Sequence, residues 1–491
     1  MRRTIQTVMV LLLAALMPSM ALAASAGPMD LTARWEGILA LVLFVIAYIL
    51  VATEEFTDLS KSKPIVFTAG LIWALVALTY TLHGGEQAAV EEALVDGLAE
   101  FTELFLFLLV AMTYVNTMTD RHVFQALRNW LTSREYSYRK LFWITGALAF
   151  FLSPFLDNLT TALVLSAVVL AVGRDSPRFV AISCVNIVVA ANAGGAFSPF
   201  GDITTLMVWQ AGQLGFARFF ELFPAALVDV IVPALCMHFF LPAGKPEATG
   251  ESMAMRRGAL GVIALFIATV ITAVLVHQVL HLPPFLGMML GLGYLKFYMY
   301  YLMKTNERWE SQVEQWKQTD EHTPVKIEER AGRIEDRERF NIFGHIADAE
   351  WDTLLFFYGV ILCVSGLGFI GYLSVTSNFL YGMLGPTIAN SLIGALSAIV
   401  DNIPIMAAVL HMEPDMDKAQ WLLITLTAGV GGSLLSVGSA AGVALMGQAK
   451  GKYTFVSHLK WTPAIALGYV LAIMTHLLIT GELGSLFSVG G

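Results

Sequence analysis

The sequence predicts an all-α, polytopic membrane protein, and three observations carry that expectation. Its 491 residues are 57% hydrophobic and 14% charged, roughly half the charge a soluble chain carries. Mean hydropathy is +0.69. The apolar residues also fall in runs of about 18 to 24, long enough for a helix to cross ~30 Å of hydrocarbon. Helices are the economical reading, because irregular backbone facing lipid leaves its peptide groups unpaired. About 11–13 transmembrane helices are expected.

At the N-terminus, Arg2 and Arg3 precede the apolar stretch Val8 to Met17, and Ala21-Leu22-Ala23-Ala24 follows. Residues 1–24 therefore read as a signal peptide or as a first membrane helix. Either choice leaves the residues near 24–35 outside. Apolar runs then occur near 37–53, 64–82, 101–118, 141–156, 159–172, 179–193, 203–214, 219–241, 259–281 and 285–303. A second set lies near 353–373, 379–400, 403–412, 420–435, 439–448 and 461–480. The chain divides into a first transmembrane repeat (36–241), a loop (242–257), helices opening a second repeat (258–303), a charged insertion (304–350) and a second-repeat core (351–485).

Basic residues set the sidedness. Lys61 and Lys63 follow the first helix, and Arg121, Arg128, Arg134, Arg139 and Lys140 follow the third. The positive-inside rule puts these in the cytoplasm, with Arg174, Arg178, Lys450 and Lys452 marking further cytoplasmic turns. The stretch Glu86 to Asp96 holds no Lys or Arg and faces out. The insertion mixes both charge signs, from Glu328 and Arg330 to Arg339, and reads as an exposed helix or a solvated connector.

Composition narrows the function classes. The net charge is −9, with no basic patch to suggest nucleic acid. Cys184, Cys236 and Cys363 stand far apart inside apolar runs, as small core hydrophobes. The histidines, His83, His277, His281 and His476 among them, form no metal-like spacing and read as interfacial residues. No nucleotide-binding loop or zinc-protease helix motif is present.

Two echoes carry the chemistry. Ser153-Pro-Phe-Leu-Asp157-Asn158-Leu159-Thr160 recurs as Ser397-Ala-Ile-Val-Asp401-Asn402-Ile403-Pro404. Downstream, Gly194-Gly195 before Gly201-Asp202 recurs as Gly431-Gly432 before Gly438-Ser439, at the same interval. A weaker echo relates Glu100 and Glu103 to Glu350 and Asp352. Matched landmarks in one order imply two structural repeats, an arrangement that is usually inverted, with the site between them at mid-membrane.

A carboxylate at mid-membrane costs about 2.5–3.5 kcal/mol on insertion scales. Asp157 and Asp401 have no Lys or Arg nearby in either motif. A bound cation or a bound proton is then the cheapest partner. Hard cations prefer oxygen, and Asp, Asn, Ser, Thr and freed carbonyls supply it. Asp202, Thr204 and Thr205 after the first glycine loop, Asn192 before it, and Ser436 and Ser439 in the second repeat extend the set. A carboxylate in oil favours its neutral form and a bound cation favours the charged one, so one site can hold either ion but not both. Blander readings exist: an Asp-Asn pair can cap a helix, Glu103 and Asp352 can open helices, and membrane Ser and Thr often bond their own backbone. Glu221 and Asp229 lie in or beside an apolar run without a repeat partner, and their roles stay open.

At these motifs, above all Asn192-Ala-Gly-Gly-Ala-Phe-Ser-Pro-Phe-Gly-Asp202-Ile-Thr204-Thr205, the sequence resembles the NhaD-type sodium/proton antiporters of the ion transporter superfamily. The resemblance covers nearly the whole chain after residue 35. It implies inverted repeats, broken helices, re-entrant hairpins, a homodimer, a bacterial inner-membrane location, and export of Na⁺ or Li⁺ for H⁺ without a cofactor. The residues it carries over are Asp157, Asn158, Asn192, Asp202, Thr204, Thr205, Ser397, Asp401, Asn402, Ser436 and Ser439, with Na⁺ at Asp157, Asn158, Asp401 and Asn402. Glu103 and Asp352 follow as pathway residues. Superfamily relatives that carry dicarboxylates with sodium have Ser where this chain has Asp, and an anion would meet strong repulsion here. A sodium-coupled carboxylate or oxyanion permease is the rival, and a membrane enzyme using 304–350 is a second.

Overall fold

The computed structural model describes residues 29–57, 59–134, 136–245, 254–319, 340–482 and 484. The expected signal peptide or first helix (1–24), part of the 242–257 loop and positions 320–339 of the insertion lie outside the described residues. The described residues hold helices and turns and no strand. Eight helices are long and apolar enough to span a membrane, and four more apolar helices are shorter. The protein is an all-α, polytopic membrane protein.

Three helices open the chain: α1 (Trp35–Ala52), α2 (Ser62–His83) and α3 (Gln87–Asp120). After the short α4 (Val123–Thr132) comes a first series of five helices. These are α5 (Tyr138–Leu156), α6 (Asn158–Val172), α7 (Pro177–Gly195), α8 (Ile203–Gln210) and α9 (Phe223–His238). The hairpin pair α10 (Ala259–Leu280) and α11 (Pro284–Thr319) follows. Then come α12 (Ile342–Ala347), α13 (Trp351–Phe369) and α14 (Tyr372–Leu384). The second series is α15 (Pro386–Leu396), α16 (Asn402–Met412), α17 (Lys418–Gly431), α18 (Ala440–Ala449) and α19 (Thr462–Thr480).

The two five-helix series repeat in their contacts as well as in their order. Ser153 Oγ donates to Ala191 O at 2.6 Å, and Ser397 Oγ donates to Ala428 O at 3.0 Å. A side chain on Gly194 would strike the Phe150 carbonyl, and one on Gly431 would strike that of Gly394. Small residues at such points let helix backbones meet closely in a membrane. Packing is also reciprocal: α6 lies against α18, and α16 against α8.

Burial locates the core. α7 is almost wholly enclosed, with 89% of its span buried, whereas α1 and α10 bury 22% and 28% of theirs and present the rest outward. A helix apolar on all sides belongs inside the bundle or against lipid, and the small side chains of α7 (Ala190, Ala191, Ala193, Gly194) suit the inner place. The charged insertion begins as a continuation of α11, where Lys304 pairs with Glu307 at 2.7 Å. Its end docks back on α3: Asn116 Nδ2 donates to His345 O at 3.0 Å, and the Arg121 guanidinium lies 5.0 Å from the Phe340 ring centre.

Candidate functional site

Each repeat breaks twice, and both breaks are written in the sequence. The chain leaves α5 at Leu156 and starts α6 at Asn158; Asp157, between them, has φ 62°. A non-glycine residue there stores about 1–3 kcal/mol of backbone strain. The matching break at Asp401 has φ −48° and no such strain. The second break runs from Gly195 to Asp202 in the first repeat and from Gly431 to Ser439 in the second.

The breaks bring four helix N-termini together. Asn158 and Asn402 are the first residues of α6 and α16, while Asp202 and Ser439 cap α8 and α18. Asp202 is the hub. Asn158 Nδ2 donates to its Oδ2 at 3.1 Å, and Asn402 Nδ2 reaches Oδ1 and Oδ2 at 3.2 and 3.1 Å. The backbone N–H of Thr204 adds a fourth bond at 3.1 Å. The network extends through Asn192: Asn158 Nδ2 donates to Asn192 Oδ1, and Asn192 Nδ2 to Ser439 Oγ, each at 3.1 Å. Asn192, Thr204 and Thr205 are fully enclosed and Asp202 is 5% exposed; the Asn192 and Asp202 side chains are satisfied within the network, whereas Thr204 Oγ1 is buried without a hydrogen-bond partner among the described residues.

The other expected residues serve differently. Asp157 turns back on its own helix, accepting from Thr160 N at 2.7 Å and Thr160 Oγ1 at 2.8 Å. Asp401 makes no capping bond with α16. Thr205 Oγ1 donates to Ser198 O and Asp202 O, which clasps the loop. Ser397 bonds the Ala428 carbonyl, and Ser436 Oγ contacts Met446 Sδ at 3.3 Å. Asp352 sits in the first turn of α13 as acceptor for Ser62 Oγ, and Glu103 lies midway along α3. Neither joins the Asp202 network, nor do they meet each other.

Among the described residues, no Lys, Arg or His forms an ion pair with Asp157, Asp202 or Asp401. Lys61, stacked 4.9 Å from the Phe356 ring centre, is within electrostatic reach of Asp401, and Glu350 within reach of Asp157. No three acidic, His or Cys side chains among the described residues converge as a metal cluster. Asp202 is ringed by neutral amides and hydroxyls, with the Asp401 carboxylate within electrostatic reach.

A cavity of about 780 Å³ lies at the C-terminal ends of α8 and α16. Glu100, Glu103, Gln210, His411, Glu413 and Asp415 line it, and His411 Nε2 stands 3.4 Å from Glu100 Oε2. The C-terminal ends of α8 and α16 therefore share one acidic space. The C-terminal ends of α6 and α18 meet elsewhere, where Lys452 Nζ donates to Arg174 O at 3.1 Å. Glu103 is marked by the sequence; His411 is not. The spacing of Glu100 and Glu103, three residues apart on one helix face, marks the wall; nothing local marks His411.

Polar groups gathered at the ends of broken helices inside a multi-pass fold define a secondary transporter. A family model described as "Citrate transporter" matches residues 7–301 and 342–429. The "Na(+)/H(+) antiporter NhaD" of Alkalimonas amylolytica is 52% identical over 94% of this chain and 94% of its own length. The protein of the same name from Halomonas elongata is 52% identical over 95% and 93%. "Sodium/proton antiporter 2" of Arabidopsis thaliana is 29% identical over 89% and 98%. The chain belongs to the NhaD family of Na⁺/H⁺ antiporters, within the wider group that the citrate-transporter model describes.

Proposed function

We propose that the chain exports Na⁺, and Li⁺ with it, across the bacterial inner membrane in exchange for H⁺, and that Asp202 is the group for which the two ions compete. The observation that carries this reading is the meeting of Asn158 and Asn402, one from each repeat, on that single carboxylate.

The shell suits both occupants. When Asp202 carries neither ion, the amide N–H groups hold its charge. A half-turn of either terminal amide exchanges nitrogen for oxygen at nearly the same point, so the same shell can offer oxygens to a hard cation. Asp202 is the one carboxylate in direct contact with this neutral shell, and its charge balances one positive charge. Protonation cancels the charge that attracts Na⁺, so each ion excludes the other. Asp401, within electrostatic reach of Asp202, is the second titrating candidate. Thr205, Ser397 and Ser436 shape the loops around the centre.

The four N-termini explain why the cargo is a cation in a fold akin to a citrate transporter. Helix N-termini carry partial positive charge and attract anions. Here Asp157, Asp202 and Asp401 occupy three of the four capping positions. The anion is built in, and a free carboxylate would find its place taken. This argues against the permease reading.

Alternating access follows from reciprocal pairing. α6 and α18 end beside Arg174 and Lys452, basic residues of the cytoplasmic side; α8 and α16 end in the acidic cavity, on the outer side. That opposition supports inverted repeats. Rocking one pair against the other would open the centre to each side in turn.

The test is cation-induced dequenching of a pH-sensitive dye in everted vesicles, scanned over Na⁺, Li⁺, K⁺ and pH. Wild type should dequench with Na⁺ and Li⁺, and Asp202→Asn should not. Full dequenching by the variant would reject Asp202 as the shared site.

A further inference from the structure

Asp229 lies in α9, away from the Asp202 centre, and is fully enclosed; neither side-chain oxygen has a hydrogen-bond partner. Its backbone is released as well, since Pro233, four residues on, has no N–H to return to the Asp229 carbonyl. Against this point α19 presents Gly468, where a side chain would come within 2.7 Å of Asp229 O. The closing helices of the two series therefore meet at a carboxyl group that, among the described residues, has no hydrogen-bond or ion-pair partner.

The elements packed against α9 are α7, α17, α19 and the 216–222 turn. Their titratable groups are otherwise engaged or not bonded to Asp229. Tyr469 of α19, the one within electrostatic reach, gives its hydroxyl to Ser391 O at 2.7 Å. His476 Nε2 lies 2.9 Å from Ala419 O, and Arg218 pairs with Glu221 at 2.7 Å. Arg178 and Cys184 of α7 and Lys418 of α17 form no bond to it. A charged carboxylate so enclosed is prohibitively desolvated; the neutral acid is tolerated.

We propose that Asp229 is a second proton-binding site, holding its proton while α9 and α19 are packed and releasing it to water when that contact opens. The proton adds to one carboxylate oxygen and leaves from it, with no other bond changed. Because the two helices close the two repeats, this site would tie the protonation state to their relative position. It stands whichever ion the Asp202 centre carries.

Infrared spectra of the full-length protein in lipid vesicles at alkaline pH test this directly. Asp229→Asn should lose part of the carboxylic-acid C=O absorption that wild type and Asp202→Asn keep, and the pH profile of its ion exchange should shift. Asp229→Glu, which retains the acid, should keep the absorption at an altered frequency and restore the profile. Should Asp229→Asn fail to reconstitute, loss of the acid absorption in Asp229→Glu would count against the proposal. Undiminished absorption in Asp229→Asn, or an unchanged pH profile, would overturn it.

Discussion

Asn402 gives its side-chain N–H to both oxygens of Asp202, at 3.2 and 3.1 Å, across 200 residues of chain. This contact ties the α16 break of one repeat to the α8 break of the other. Turned over, the same amide offers its oxygen to Na⁺, and losing that ligand in Asn402→Ala should raise the apparent Na⁺ half-saturation about tenfold, about 1.4 kcal/mol. Na⁺ titration of dequenching in everted vesicles measures it. Asn158→Ala, which removes a bond to Asp202 and one to Asn192, should fall in the same range. A change below twofold in both would leave the amides without a part in binding.

Gly431 and Gly382 separate close approach from mere helix composition. A methyl on Gly431 meets the Gly394 carbonyl, backbone that cannot swing aside, whereas Gly382 in α14 has open space around it. Overpacking of this kind costs roughly 1–3 kcal/mol or more, while Gly→Ala in an open helix gains up to about 1 kcal/mol. Gly431→Ala should lower the thermal unfolding temperature in detergent, and Gly382→Ala should hold or raise it. Equal responses would deny that the repeat depends on this contact.

The acidic cavity predicts a salt-sensitive supply of cations. Glu100, Glu103, Glu413 and Asp415 line it together, and grouped charges of one sign raise the local concentration of counter-ions. A Glu100→Gln/Glu103→Gln double variant should raise the apparent Na⁺ half-saturation at low ionic strength. The difference from wild type should shrink as inert salt shortens the Debye length to ~10 Å at 0.1 M. A defect independent of salt would mean these carboxylates act by contact instead.

Much of this fold and centre was legible in the sequence because its signals are local. Apolar runs gave the helices, and Asp-Asn and Gly-Gly in those runs gave the breaks. Which carboxylate the two asparagines hold is not legible. The two Asp-Asn pairs point in sequence to Asp157 and Asp401, yet their asparagines end on Asp202, a partnership set by tertiary packing of helix ends. The helix-cap alternative describes Asp157, which holds Thr160, and the backbone-bonding alternative describes Ser397 and Thr205. Glu103 and Asp352, an echo in sequence, occupy unlike positions: mid-helix in α3 and the first turn of α13. An echo of letters does not fix depth. The isolation of Asp229 is not legible in its own segment, since it depends on α19, far along the chain.

The most direct measurement is proton release from the purified protein on adding Na⁺ in weak buffer, near the pH where exchange is half-maximal. If the ions displace each other at Asp202, wild type releases protons in saturable proportion to bound Na⁺, and Asp202→Asn releases none. Na⁺ binding to wild type without proton release, or equal release from Asp202→Asn, would contradict the shared-carboxylate account.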